Sequence, residues 1–356
     1  MRIEHATVEP LDLPLHEPFE ISLGAQRRAS NVLVTVETEN ETGYGEGSPL
    51  TPVTGETQEA ALATARAATE LLEGKSLTDY RGLVAEVRNA FPGMVSALFA
   101  VETAILDAYC RERGMALSEL FGGSPDPVTT DFTIGIMPPK EARDGASRAA
   151  ERGFDDLKVK TGTTVADDVA RVAAVHEGAP DAELTVDANQ GWTPTETAAF
   201  ADELESRGIP LSLVEQPTPA TDVVGLARAR DAVSVPVAAD EAVFTPEDAV
   251  RIVREEAADV INVKLGKSGL LAARDIAAIA EAANIELMVG CMLESAVGIH
   301  ASAHLVSGIG SFSHVDLDGN LLIAEDVIPT DGGPTIDISG PGHGVVPDGV
   351  VPNGME

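Results

Sequence analysis

Lysines are scarce in this chain, and half of them follow apolar runs. The 356-residue sequence has 58 acidic residues but only 24 basic ones, and six of those are lysines. Lys158 and Lys160 end the run DLKVK, and Lys264 ends DVINVKL. The alternative is that Lys158 and Lys160 are surface residues, because the lysines of an isolated KxK often lay their aliphatic chains on the protein surface and keep their ammonium groups in water. Because lysines cluster here in a chain that otherwise uses arginine, we predict an acid–base role.

Three carboxylates, like these lysines, lie at the ends of apolar runs. Asp187, Glu215 and Asp240 end the successive apolar runs ELTVDAN, LSLVEQ and PVAADE. Carboxylates from three neighbouring strands can converge on one hard cation that prefers oxygen ligands, as Mg²⁺ does. The alternative is three separate surface or salt-bridge groups, which the apolar context makes less attractive. The pattern therefore predicts a Mg²⁺ site.

The elements that must position these groups form a repeating pattern. From about residue 130, strand-like and helix-like runs alternate, which is typical of βα units. Eight such units predict an α/β fold with a TIM barrel, whose catalytic groups lie at the carboxyl ends of the strands. An open doubly wound sheet is the alternative, but no phosphate loop follows the first strand. The strand candidates are DFTIGI, DLKVK, ELTVDAN, LSLVEQ, PVAADE, DVINVKL, IELMVGCM and FSHVDLD.

The N-terminal part of the chain has a different character. Two strand-like pieces, joined by the Gly-rich segment GYGEG as a turn, precede Ala- and Leu-rich helices. GYGEG does not open a helix, which argues against a nucleotide loop. We expect a separate α+β domain at residues 1–125, a TIM-barrel domain at residues 126–324, and a tail of loops and short strands packed on one of them.

The barrel geometry suggests how the lysines act. Strands two and six of an eight-stranded barrel are diametrically opposite, so Lys160 and Lys264 should face a bound molecule from two sides. That arrangement suits inversion of a stereocentre, with one lysine removing a proton and the other supplying one. Lys158 shares the strand face of Lys160 and should lower its pKa. Asp240 and Glu241 are adjacent, so they should not share a face.

The segments KVK, VDAN, VEQP, ADE and NVKLGKSG, in that order, resemble the muconate lactonizing subgroup of the enolase superfamily over nearly the whole chain. The resemblance implies that Asp187, Glu215 and Asp240 bind Mg²⁺, that Lys160 and Lys264 form the acid/base pair, and that Lys158 supports them. It also implies that residues 1–125 form a capping domain, which the tail 325–356 completes, and that residues 126–324 form the modified TIM barrel that is the catalytic domain. Two departures lie beside this core: KSGL lacks a second glycine, and ADEA stands where ADES is common.

The segment VDLDG indicates which reaction of this subgroup the chain catalyses. Asp316 and Asp318 resemble the DxD motif of the dipeptide epimerases, of the L-Ala-D/L-Glu epimerase type, where paired carboxylates hold the substrate ammonium. The alternative is a turn whose acids cap the next helix. The expected reaction inverts the alpha carbon of the C-terminal residue of a dipeptide. An N-acylamino acid racemase, an o-succinylbenzoate synthase, a cycloisomerase or a non-catalytic barrel protein are the alternatives.

Substrate selection should come from cap loops that close over the barrel. Arg27 and Arg28 are the candidates for pairing with an acidic side chain of the substrate, and a solvated role for both is equally open. Glu294, near the end of the seventh strand candidate, is a further candidate for the lining of the site.

The composition excludes some partners. A formal net charge of -34 would repel nucleic acid and anionic membranes. The acidic surface resembles those of proteins from salt-loving organisms, so we expect a halophilic protein whose self-repulsion salt screens. Cys110 and Cys291 belong to no CxxC pattern, and the N-terminus does not resemble a secretory signal, which favours the cytoplasm. A homo-oligomer is compatible with the sequence.

Overall fold

A computed structural model describes residues 1–347, and residues 348–356, the end of the expected tail, lie outside the described residues. The first unit, called the cap here, is an antiparallel sheet in the order β1-β2-β3 with helices packed on it. Its elements are β1 Ile3–Ile21, β2 Gly24–Thr38, β3 Thr42–Gly47, α1 Thr51–Thr54, α2 Gln58–Glu70, α3 Tyr80–Ala90 and α4 Val95–Arg113.

The segment GYGEG is a strand, so its prediction as a turn was wrong. It forms most of β3, which pairs antiparallel with β2. Its glycines alternate, and a Cβ on Gly43, Gly45 or Gly47 would lie within 2.3 Å of backbone atoms of α4. The glycines therefore allow helix α4 to pack directly on the strand, which a strand with side chains on that face would prevent.

The second unit is a barrel of eight parallel strands, which confirms the predicted fold class. Each of the eight predicted runs contains one strand, and β5 to β12 neighbour one another in chain order. The backbone N–H of Asp131 donates to the carbonyl of Val315 at 3.0 Å, which links the first strand to the last. The strands are β5 Phe132–Ile134, β6 Asp156–Lys160, β7 Glu183–Asp187, β8 Leu213–Glu215, β9 Val237–Ala239, β10 Val260–Lys264, β11 Glu286–Gly290 and β12 Phe312–Asp316.

The helices around the barrel are α5 Pro139–Glu151, α6 Val165–Gly178, α7 Pro194–Ser206, α8 Val223–Ala232, α9 Pro246–Arg254, α10 Leu265–Ser268, α11 Leu270–Ala283 and α12 Ala296–Ile309. Five of them, α6 to α9 and α12, begin at a side chain that caps the first turn. The Thr193 and Glu196 side chains form a capping box on one helix, with Pro194 at its first turn. Within residues 1–347 no helix is long and apolar enough to cross a membrane.

The end of the described chain returns to the start of the barrel and to the cap. Strand β13 (Thr335–Ile336) pairs with β4 (Val128–Thr129). Farther on, the buried carboxylate of Asp107 on α4 accepts hydrogen bonds from the backbone N–H groups of Tyr44 and His343, at 2.9 and 2.8 Å. Arg111 binds the same carboxylate and donates to the carbonyl of Val345. The last described residues therefore contact both the start of the barrel and the cap.

Candidate active site

A cavity of about 580 Å³, part of it open to solvent, lies between the carboxyl ends of the barrel strands and the cap. Lys160, Lys264, Asp240, Asp316 and Asp318 line it on the barrel side. Such a location is where TIM-barrel enzymes hold their catalytic groups. We therefore regard this cavity as the candidate active site.

Asp187, Glu215 and Asp240 converge at the base of the cavity, which Asp240 lines, as the sequence predicts. Each offers a carboxylate oxygen within 4.8 Å of the others, and none is more than 1 % exposed. Asn262, on β10, donates to Glu215 Oε1 at 2.7 Å and fixes that carboxylate. Three buried carboxylates with oxygen as the sole donor element fit a hard cation such as Mg²⁺.

The pKa values of these acids show how strongly they interact. Burial, together with the neighbouring Asp187, raises the pKa of Glu215 to about 8. Burial also acts to raise the pKa of Asp187, but the Lys160 and Lys158 charges outweigh it and lower that pKa to about 2. Against the same effect of burial, Lys264 and Lys267 hold the pKa of Asp240 well below its ordinary value. The cluster thus depends on nearby positive charge.

Lys160 and Lys264 flank the carboxylates from opposite sides of the barrel. Lys160 Nζ lies 2.6 Å from Asp187 Oδ2, and Lys264 Nζ lies 2.6 Å from Asp240 Oδ2. Both lysines line the cavity, and three strands separate β6 from β10 in the barrel. Burial opposes the charged form of Lys264, yet Asp240 and Glu215 raise its pKa above the ordinary value. A molecule in the cavity would meet one amino group on each side.

Lys158 lies beneath this pair. It is fully buried, and its Nζ is 2.6 Å from both Glu215 Oε2 and Asp316 Oδ2 and 3.3 Å from Asp187 Oδ2. Burial opposes its charge, but the surrounding carboxylates raise its pKa well above the ordinary value. Lys158 does not line the cavity, so it stabilises the carboxylates by charge rather than contacting a bound molecule.

A second group of acids joins Asp316 and Asp318 to Asp131, whose carboxylate oxygens also lie within 4.8 Å of one another. The backbone N–H of Thr133 donates to Asp318 Oδ2 at 2.6 Å. Burial and the Asp316 charge raise the pKa of Asp318 to about 6, and burial together with Asp316 raises the pKa of Asp131 well above its ordinary value. Asp316 and Asp318 line the cavity and present negative charge to it. Asp131 was missed in the sequence, where its position just before a strand gives no distinctive signal.

The prediction that Asp240 and Glu241 do not share a face was wrong. Both line the cavity. Strand β9 ends at Ala239, so strand alternation no longer applies to these two residues. Glu241 accepts a hydrogen bond from Asn189 at 3.2 Å, and burial together with Asp240 raises its pKa to about 7.

Two further residues of the site were missed. Asn262 stands two positions before Lys264 on the same strand face, a spacing that could have revealed it. Lys267 lies in the short helix α10, with its Nζ 2.6 Å from Asp240 Oδ1, and burial lowers its pKa. No strand or helix periodicity predicts that contact, because it depends on how the chain turns after β10.

The other three predicted substrate-binding residues do not line the cavity. Arg27 and Arg28 are exposed and do not line the cavity, and Arg28 Nε lies 4.0 Å from Asp12 Oδ1 at the surface. Glu294 is buried beneath the cavity wall, where it accepts hydrogen bonds from Ser48 Oγ at 3.0 Å and the backbone N–H of Met292 at 3.2 Å. Burial and nearby Glu46 raise the pKa of Glu294 to about 8. Neither arginine reaches a molecule in the cavity in this conformation.

Comparisons with known proteins agree with this geometry. Residues 141–351 match the family described as enolase C-terminal domain-like, and residues 2–122 match the mandelate racemase/muconate lactonizing enzyme N-terminal domain. The L-Ala-D/L-Glu epimerase of Bacillus subtilis is 34% identical, covering 97% of each chain. The aromatic dipeptide epimerase of Herpetosiphon aurantiacus is 40% identical over 91% of each. A dipeptide epimerase from Enterococcus faecalis, solved with Mg and L-Leu-L-Tyr, has a TM-score of 0.92 at 33% identity, covering 97% of this chain and 99% of that one.

Proposed function

The chain belongs to the mandelate racemase/muconate lactonizing enzyme family of the enolase superfamily, and on that basis we propose that it is a Mg²⁺-dependent dipeptide epimerase. The observation that carries the proposal is the pair Lys160 and Lys264, which face one cavity from opposite sides of a three-carboxylate cluster. The reaction inverts the alpha carbon of the C-terminal residue.

The two lysines exchange one proton each with the substrate. The neutral amine of one lysine removes the alpha proton, and the ammonium of the other adds a proton to the opposite face. One C–H bond breaks and one forms, no electrons are gained or lost, and the lysines end with their protonation states exchanged. Reaction in the reverse direction uses the same two groups in the opposite roles.

Other residues hold the substrate in this position. Asp187, Glu215 and Asp240 would hold Mg²⁺, which would supply positive charge beside the substrate carboxylate and make the alpha proton easier to remove. Asp316 and Asp318 would receive the free ammonium of the N-terminal residue, since two buried carboxylates attract a cation and repel an anionic acyl group. This second interaction distinguishes a dipeptide from an N-acylamino acid.

Deuterium exchange tests the proposal. The enzyme with Mg²⁺ in D₂O should replace the alpha proton of the C-terminal residue in L-Ala-X dipeptides and produce the other epimer, both observed by proton NMR. The matching N-acetylamino acids, which lack the ammonium, and a succinylbenzoate precursor serve as parallel substrates. Turnover of either parallel substrate without exchange in any dipeptide would replace the dipeptide assignment with another reaction of the subgroup.

We also infer a cytoplasmic, salt-adapted protein. The support is the net charge of -34 and the presence of two free cysteines, Cys110 and Cys291. Equilibrium sedimentation would establish whether a homo-oligomer forms.

A further inference from the structure

The cavity has two chemically different sides. The barrel side carries the charged groups described above, whereas the cap side is apolar. We define the cap wall as Phe19, Ile21, Leu50 and Val53, which line the cavity together with Leu293 and Leu322 from barrel loops. The carboxylate, alpha carbon and ammonium of a dipeptide would occupy the barrel side, so its side chains would contact the apolar surface.

The segment of the cap wall that carries Phe19 and Ile21 is held in place by hydrogen bonds to the barrel. Ser22 Oγ donates to the carbonyl of Asn189 at 2.8 Å, and the backbone N–H of Ile136 donates to the carbonyl of Glu20 at 2.8 Å. A Cβ on Gly135 would lie 3.3 Å from the ring of Phe19, so that ring packs closely against the barrel. This part of the apolar surface is therefore preformed over the cavity.

The charges that line the cavity leave no partner for an acidic substrate side chain. Among the described residues that line it, the cations are Lys160 and Lys264, and each pairs with a carboxylate at 2.6 Å. Arg27 is exposed and outside the cavity, while its neighbour Gln26 is the one polar lining residue from the cap. A carboxylate against the cap wall would lose water without gaining a counter-charge, which is costly.

We infer that this enzyme, if the proposed epimerase function holds, acts on dipeptides whose epimerised residue has an apolar rather than an acidic side chain. The cap wall selects it by offering no counter-charge to a carboxylate and by removing apolar surface from water. Ile21 and Gln26, at the hairpin between β1 and β2, are specificity-determining residues for the reaction.

The first test compares substrates that differ in the epimerised residue. We expect kcat/KM for L-Ala-L-Leu and L-Ala-L-Phe to exceed that for L-Ala-L-Glu by roughly 100-fold or more. Equal or better turnover of L-Ala-L-Glu would overturn the inference and leave the epimerase function standing. Exchange in no dipeptide would overturn both.

The second test adds one positive charge to the lining of the cavity. Gln26→Arg should raise the ratio of kcat/KM for L-Ala-L-Glu over L-Ala-L-Leu by about 10-fold or more, because the new guanidinium can pair with the substrate carboxylate. Arg27→Gln is the matched control and should leave that ratio unchanged, since Arg27 lies outside the cavity. Both positions already carry polar side chains, and thermal unfolding would verify that each variant folds. An unchanged ratio in Gln26→Arg, or an altered one in Arg27→Gln, would refute the assignment of the selecting surface.

Discussion

Replacing Lys158 by methionine isolates the electrostatic role of the buried lysine from its bulk. The substitution keeps the side chain long but removes the charge that lies within 3.3 Å of Asp187, Glu215 and Asp316. Removing one partner of a buried ion pair typically costs about 3–5 kcal/mol because the other charge remains buried. We expect the free energy of unfolding to fall by about that amount in EDTA.

The loss of unfolding free energy caused by Lys158→Met should depend on pH. The pKa of Glu215 is already about 8, above its value of 4.5 in an unfolded chain, and loss of the lysine raises it further. A carboxyl group whose pKa is raised on folding destabilises the native state as pH rises above its unfolded value. The loss caused by Lys158→Met should therefore be smaller at pH 6 than at pH 9, because the carboxyl group can take up a proton at the lower pH.

Urea denaturation followed by circular dichroism measures both effects. Mg²⁺ should restore part of the loss, since a ligand at about 100 times its Kd stabilises the native state by about 2.7 kcal/mol. Lys75→Met is the control, because Lys75 pairs with Glu86 at a partly exposed position, where the cost is about 0–1 kcal/mol. A deficit in Lys158→Met no larger than in the control, or one independent of pH, would refute this account of the buried cluster.

Three further predictions concern catalysis and salt. Lys160→Ala and Lys264→Ala should each reduce kcat by about 10²–10⁴-fold with Mg²⁺ binding retained in calorimetry, and full activity in either would refute the two-base reaction. Gly290→Ala should reduce kcat, because its Cβ would lie 2.6 Å from Lys264 Cε and displace that lysine. Gly333→Ala is the control, since its Cβ would lie 3.7 Å from Asp331 Oδ1, and equal rates in the two variants would refute this prediction. The free energy of unfolding should rise with KCl, because the Debye length falls from about 10 Å at 0.1 M to 3 Å at 1 M; a decrease would argue against salt adaptation.

The sequence predicted the barrel well because its signals are local and periodic. All eight strands lie within the predicted apolar runs. The polar residues that end them could be assigned to one edge, since parallel strands in a barrel place their carboxyl ends together. Asp187, Glu215 and Asp240 meet for that reason.

Contacts formed after the strands end were not predictable in the same way. Glu241 reaches the cavity because strand alternation stops at Ala239, and Lys267 reaches Asp240 through a helix of four residues. Arg27 drew attention as a charge near the expected cap loop, but the side chain that lines the cavity is the adjacent Gln26. A shift of one residue on a strand changes which face a side chain occupies.

The tail contacts have a consequence for how the protein is made. The hydrogen bond from His343 to Asp107 and the one from Arg111 to the carbonyl of Val345 join the fourth cap helix to a segment near the end of the described chain. A ribosome synthesises Asp107 early, but it must add more than two hundred further residues before His343 exists. The cap therefore cannot acquire its complete set of buried contacts during synthesis, however early its sheet forms. The last of these contacts form only after the barrel, which lies between them in the sequence, has been synthesised.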